Sequence, residues 1–393
     1  MTTLIHLVSE QTMQNLLPIL ALRPNVVVQL RSRADRFHQA AENLKNAVHA
    51  IRDTILYRDL QPEFREEVIE ADSPTVEQTE TKIRELLRRF PHPIVNITGG
   101  TKLMSLGAWK AVADQTPIIY CDTAECRFVP VGRHPLPQLP PFPQIAASLT
   151  VEAVMAAHGV TRDNWKFDQP TEPLRAVGRV GFSCRQANEQ AFRDFGEAVR
   201  SHFRSDAERI PRGNKKLSEL VARPLPAAPP SVSPFLEALA NADLLAKRGD
   251  RFYPNVEPSR EKVEQLANLL EGSWLELYVV DLLLNHTDRW TDPHWSVEPR
   301  HPEQVVFGET DVICVNVQAT ALQIISCKTV LRQQLETLEA LAQRRRDLGG
   351  TFAKATLAVL SVSENERRKL TNWARLLNVQ LLVGDEITKA FSP

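Results

Sequence analysis

The first third of this chain alternates short apolar strands with amphipathic helical stretches, and no other feature constrains its fold as tightly. LIHLVS is followed by helical spacing from about Glu10 to Ala21, and VVVQLRS by a second helix around Ala34 to Ile51. A third helix, about Val76 to Phe90, leads into PIVNITGG; after another helix to Ala113 comes PIIYCD. A strand that pairs in parallel with the next needs a crossover to bring the chain back to the same edge. The alternation therefore predicts right-handed βαβ units and a Rossmann-like parallel sheet. RHPLPQLPPFP then closes the unit, because proline neither donates to a sheet ladder nor continues a helix.

The rest of the chain divides in two. Residues 148–262 read as a helical connector with a second proline-rich break at Arg223 to Pro234. After that break, a short helix and a hairpin with Gly249-Asp250 near its tip have the outline of a winged-helix-like module, or of a plain helical connector. Residues 263–393 run helix, paired apolar strands, helix, strand, helix, strand, starting from the helix that contains GSWLELYVVDLLL. The expected fold class is thus α/β, with an N-terminal domain at 1–147 and a second α/β domain at the other end.

Composition narrows the function classes. A net charge of -1 over 393 residues excludes the overall basic footprint of a general nucleic-acid binder, so any such binding is local. The basic runs Lys215-Lys216, Arg344-Arg345-Arg346 and Arg367-Arg368-Lys369 read as solvated helix faces. The N-terminus lacks the pattern of a secretory leader, and no segment holds the roughly 18 uncharged apolar residues of a membrane span. A cytoplasmic protein is expected. Its five cysteines lack zinc-ligand spacing and read as packing thiols.

Two motifs carry chemistry. In VNITGGTKLMS, a strand ends in Thr98-Gly99-Gly100-Thr101-Lys102 and opens a helix. Free backbone N–H groups, glycines without Cβ, hydroxyls and an ammonium then meet at the positive end of a helix dipole, an arrangement suited to phosphate. It is neither a Walker A loop nor a dinucleotide fingerprint. The first strand ends in Ser9-Glu10-Gln11-Thr12, before a helix carrying Asn15, and parallel strands share the edge at which their carboxyl ends lie. The two polar loops should converge there.

HLVSEQTMQNLLPIL together with VNITGGTKLMSLGAW resembles the CARF domain, the CRISPR-associated Rossmann fold that binds cyclic oligoadenylates across a two-fold dimer interface. The resemblance implies a homodimer presenting two copies of each loop to a cyclic phosphate ring, with Ser9, Gln11, Thr98, Gly99, Gly100, Thr101, Lys102 and Met104 lining the site. Asn15 or Asn96 either reads adenine or ribose or serves as a structural cap.

The second motif lies near the C-terminus. Asp311 begins the apolar strand DVICVNV and Lys328 ends the next, LQIISCKT; a short antiparallel connection places both at one end of a sheet, within reach of Glu276 on the preceding helix. This resembles the PD-(D/E)xK restriction-endonuclease-like fold. It implies Mg²⁺ or Mn²⁺ held by Asp311 and Glu276, with Lys328 beside the attacking water or the developing charge. One departure stands out: Ser326 occupies the place of the usual second acid, leaving a poorer ligand for a hard cation unless Glu309 or Glu336 substitutes. Glu336 and Glu339 read as solvated helix residues.

A CARF domain followed by a restriction-like nuclease is the layout of ancillary nucleases of type III CRISPR systems. The resemblance implies a homodimer activated by a cyclic oligoadenylate, cyclic tetra-adenylate foremost, that cleaves DNA and/or RNA with little sequence preference and without a membrane partner. Two other readings stand beside it. One is a CARF-gated transcription regulator whose nuclease domain is dead at Ser326; the other is a ring nuclease that degrades its own messenger with Lys102 and Ser9.

Overall fold

The computed structural model describes residues 2–112, 116–160, 169–204, 216–299, 308–331 and 333–392. Lys215 and Ala113 lie outside them.

The first sheet contains β1 (Thr3–Leu7), β2 (Val26–Ser32), β3 (Glu63–Ile69), β4 (Ile94–Asn96), β5 (Ile118–Asp122) and β6 (Arg127–Val131). Their spatial order is β3-β2-β1-β4-β5-β6, parallel except for β6, which returns antiparallel on β5. Helices Met13–Leu22, Asp35–Ile51, Val76–Arg89 and Lys102–Val112 supply the crossovers. Strands β1 and β2 are almost wholly buried, as strands covered on both faces must be. β3, by contrast, alternates exposed and half-buried residues in EFREEVI, so its apolar signal is weak and the sequence reading passed over it. The strand order reverses between β1 and β4, and at such a switch point the loops beyond the carboxyl ends open into a crevice.

The connector holds helices Val151–Ala157, Glu172–Ala187, Glu189–Val199 and Ser233–Asn241, followed by the hairpin β7 (Leu245–Arg248) and β8 (Arg251–Pro254). Gly249 takes a φ of 64° at its tip, where a side chain would be strained. The second sheet runs β13-β12-β11-β10-β9, from β9 (Trp290–Val297), β10 (Thr310–Asn316), β11 (Ala321–Lys328), β12 (Lys354–Val359) and β13 (Gln380–Val383). β9, β10 and β11 are antiparallel, whereas β11, β12 and β13 are parallel.

Helix Trp274–Leu284 is apolar on all sides apart from Glu276 and Asp281 and correspondingly buried, packed between the connector and the second sheet. Its close approach to helix Glu172–Ala187 depends on Gly178, where a Cβ would lie 2.4 Å from the Tyr278 backbone nitrogen. Across the same contact, buried Asp281 bonds Arg179 at 2.6 Å and Arg175 at 3.4 Å.

The two sheets share a core. One apolar cluster runs from Leu17 and Val48 through Val154 of helix Val151–Ala157 to Ile324 and Leu357 of the second sheet. The N-terminus of that bridging helix is tied to β9, where the Asp292 carboxylate accepts the Val151 N–H at 2.7 Å. Asp292 stands at φ 52°, and the register of β9 on β10 slips nearby. None of the helices in the described residues is long and apolar enough to cross a membrane.

Candidate active site and ligand-facing turn

The two strand-end loops of the first sheet do meet. The Gly100 N–H donates to the Val8 carbonyl at 3.0 Å, and a Cβ on Gly99 would sit 2.0 Å from the Leu7 oxygen. Gly100 has φ 70°, so both glycines are demanded by the turn itself.

Most of the polar side chains here hold backbone. Thr98 Oγ1 donates to Asn96 Oδ1 at 2.6 Å and accepts the Cys121 N–H at 2.6 Å. Asn96 donates to the Gln14 carbonyl and Asn15 to the Leu7 carbonyl, each at 3.0 Å, and both are buried; of the two roles open to each, the structural one is filled. Thr101 Oγ1 accepts the Met104 N–H at 3.2 Å, opening helix Lys102–Val112, and Met104 is buried beneath the turn with its sulfur close to Gly100. Ser9 Oγ accepts the Gln11 N–H at 3.2 Å. Gln11 and Lys102 are exposed.

Beside the turn lies a shallow depression of about 700 Å³ lined by Thr98, Gly100, Lys102, Leu106, Trp109 and Tyr120. Leu103, Leu106 and Trp109 recur every third residue along helix Lys102–Val112, all exposed by 45% or more. That spacing puts them on one face of the helix.

In the second sheet, β10 and β11 pair with Val312 opposite Ile325, so Asp311 faces Ser326. Three donors converge on Asp311 Oδ2: Ser326 Oγ at 3.0 Å, the Cys327 N–H at 2.7 Å and Lys328 Nζ at 2.7 Å. Burial lowers the Lys328 ammonium, but the Asp311 charge and hydrogen bond outweigh it and the pKa is raised, so Lys328 keeps its proton. Glu276, 8% exposed, comes in from helix Trp274–Leu284. Burial first, then the negative charges of Asp311 and Glu309, raises its carboxyl well above the usual carboxylate range. Glu309 accepts a hydrogen bond from Ser296 at 2.5 Å, whereas Glu336 and Glu339 are exposed on helix Gln334–Gly349.

Residues 3–131 match the family model of the Card1 CARF domain, and residues 263–390 match that of the Card1-like endonuclease domain. The chain belongs to the CARF-linked nucleases of the Card1 kind. No individually curated protein matches the sequence. Among solved structures it is similar to Can2 from Sulfobacillus thermosulfidooxidans in complex with cyclic tetra-adenylate, at 19% identity and TM-score 0.67, covering 100% of this chain and 97% of that one. Protein VC1899 from Vibrio cholerae is similar at 17% identity and TM-score 0.73, covering 99% and 95%. A type III CRISPR defence DNA nuclease activated by cyclic oligoadenylate is similar at 16% identity and TM-score 0.52, over 91% of this chain and 45% of that one. At such identities the likeness is one of fold.

The nuclease half contains residues that sequence reasoning missed. Arg344, read as part of a solvated run, is half-buried, and its guanidinium is lowered by burial against the opposing pull of Asp311 and Glu309. The run's next member, Arg345, is buried and donates to the Asn378 carbonyl at 3.2 Å. Its position among Leu341, Ala342 and Leu348 on the buried stripe was the available signal. Arg185, Arg193 and Arg200 of the connector line a cleft of about 420 Å³ together with Glu276 and Lys328. Nothing in the connector's local sequence links them to a site formed some 80 to 140 residues later.

Proposed function

We propose that this CARF nuclease is a homodimer switched on by a cyclic oligoadenylate, with cyclic tetra-adenylate as the leading candidate, and that it hydrolyses phosphodiester bonds of DNA and/or RNA in type III CRISPR defence. Residues 1–147 sense, 148–262 connect and 263–393 cut. The observation that carries the reading is the convergence of Ser326, Cys327 and Lys328 on one oxygen of Asp311, with buried Glu276 alongside, in a chain that also bears the glycine turn. The relatives' complex with cyclic tetra-adenylate and activation by cyclic oligoadenylate support the choice of messenger. The apolar face formed by Leu103, Leu106 and Trp109 beside the turn supports a dimer that closes over the ring.

The residues fit a divalent cation. Burial and a neighbouring carboxylate hold Glu276 towards its neutral form, and a cation between the two acids would favour both ionised. Asp311 and Glu276 would hold Mg²⁺ or Mn²⁺, which supplies Lewis-acid charge to the scissile phosphate. Lys328, held as an ammonium by Asp311, would stabilise charge as it develops on the phosphoryl oxygens or orient the attacking water. Ser326 and the Cys327 N–H fix the rotamer of Asp311. In the sensor, exposed Lys102 and Gln11 face the messenger, while Thr98, Thr101 and Met104 shape the turn beneath it.

The test is cleavage of supercoiled plasmid and of labelled single-stranded DNA and RNA, with Mg²⁺ or Mn²⁺, with and without cyclic tetra- and hexa-adenylate. Cleavage that requires one ring is the expected result. Ring binding with no cleavage under any metal would make Ser326 the mark of a silent nuclease and leave a ligand-gated binding protein.

A further inference from the structure

Helix Glu189–Val199 packs Phe192, Phe195 and Val199 into the core, while on the adjoining stripe Arg193, Gly196 and Glu197, continued by Arg200, line together with Phe192 the cleft that holds Glu276 and Lys328. Among the described residues, nothing in the fold requires glycine at 196: a Cβ there would meet nothing within 4 Å, its φ is not positive, and the helix continues past it into the π-helical turn Arg200–Arg204, so it is not a C-cap. Glycine in mid-helix weakens the helix relative to alanine. Gly178, in the neighbouring helix, has the backbone of Tyr278 against it; Gly196 has only the open cleft. A side chain removed from a wall that faces open space next to catalytic groups makes room for something from outside.

The flanking charges fit a phosphodiester. Arg193 is exposed and hydrogen-bonds the neutral Gln190 side chain at 2.6 Å. Arg200 is half-exposed and paired with Glu271 at 2.9 Å on the opposite wall. Arg185, deeper in, bonds Glu189 at 2.7 Å. We infer that this connector helix is the second wall of the nuclease site, with the substrate's sugar-phosphate backbone crossing at Gly196, Arg193 on one flanking phosphate and Arg200 on the other. This rests on the nuclease reading above and adds to the site a region that neither domain match covers.

The test uses the full-length protein with Gly196→Ala and Arg193→Ala; Arg200 is left intact because Glu271 depends on it. Melting temperature, ring binding, oligonucleotide affinity by fluorescence anisotropy across a salt series, and cleavage are measured. Gly196→Ala is expected to melt at or above the wild-type temperature and bind the ring normally, yet lose oligonucleotide affinity and cleavage by about tenfold. Arg193→Ala is expected to reduce the slope of log affinity against log salt by about 0.7 for a single strand. If wild type cleaves and both variants bind and cleave like it, the inference is overturned while the nuclease reading stands. If wild type neither binds nor cleaves any nucleic acid, the nuclease reading falls and takes this inference with it.

Discussion

The two sites in this chain solve opposite problems. In the CARF turn, Thr98, Asn96, Asn15 and Thr101 direct their hydrogen bonds to backbone or to one another, leaving an exposed surface of main chain, Lys102 and apolar side chains. In the nuclease cleft the side chains face one another, with an acid, a lysine and a second, charge-suppressed acid crowded together. The first leaves apolar side chains exposed, which fits the proposed partner subunit and ligand. The second crowds like charges, which fits the proposed cation. Shape governs one site and charge the other, so they should fail in different ways.

The largest effect is expected from Asp311→Asn, which should lower cleavage on the order of a thousandfold while leaving ring binding unchanged in calorimetry. Retained cleavage in that variant would dissolve the contrast, because the three donors on Asp311 would then serve only the fold. Next, if the chain dimerises as proposed, Leu106→Glu should leave it a monomer at micromolar concentration, as read by light scattering, and abolish ring-dependent activity with the nuclease residues untouched.

Acid provides a third test. His6 and His158 are buried and neutral, lowered from 6.5 to about 3 and about 4 respectively by burial. Below pH 6.5 the unfolded chain takes up protons that the fold refuses, so the histidines' share of stability should be flat above about pH 7 and decline by about 1.4 kcal/mol per pH unit for each histidine as pH falls, against an opposite trend from the raised Glu276 carboxyl. Melts of wild type and His158→Gln at pH 7.5 and 5.5 isolate one histidine's share as the difference between their slopes. Fourth, Gly99→Ala drives a Cβ into the Leu7 carbonyl and should cost about 1–3 kcal/mol in denaturant melts. The smallest effect concerns Ser326→Asp, which restores the missing acid. It should lower the metal-free melting temperature by a few degrees and enlarge the rise produced by Mn²⁺.

The sequence was most legible where local pattern and tertiary role coincide. β2 and the helix starting at Val76 lie where periodicity put them, because buried parallel strands and a Thr75 capping box leave clear local marks. β3 was missed since that edge strand carries polar residues, β6 since Pro130 interrupts the short run RFVPV, and β9 since a bulged WTDPHWSV has no regular alternation. The hairpin register placing Asp311 opposite Ser326 was readable from two apolar runs and a short turn. Arg185, Arg193 and Arg200 were not: their role arises when helices distant in sequence close over the nuclease sheet, a fact of packing that leaves no local trace.

The bridging helix Val151–Ala157 has a practical consequence. Its valines and alanines are shared by both sheets, so neither half of the chain owns a finished interior. An excised sensor or nuclease would present that face to water and should aggregate or bind chaperones rather than behave as a module. Grafting this sensor onto another effector therefore requires moving the seam as well as the domain, and a cut made at the proline-rich boundary near residue 140 would fall on the wrong side of it.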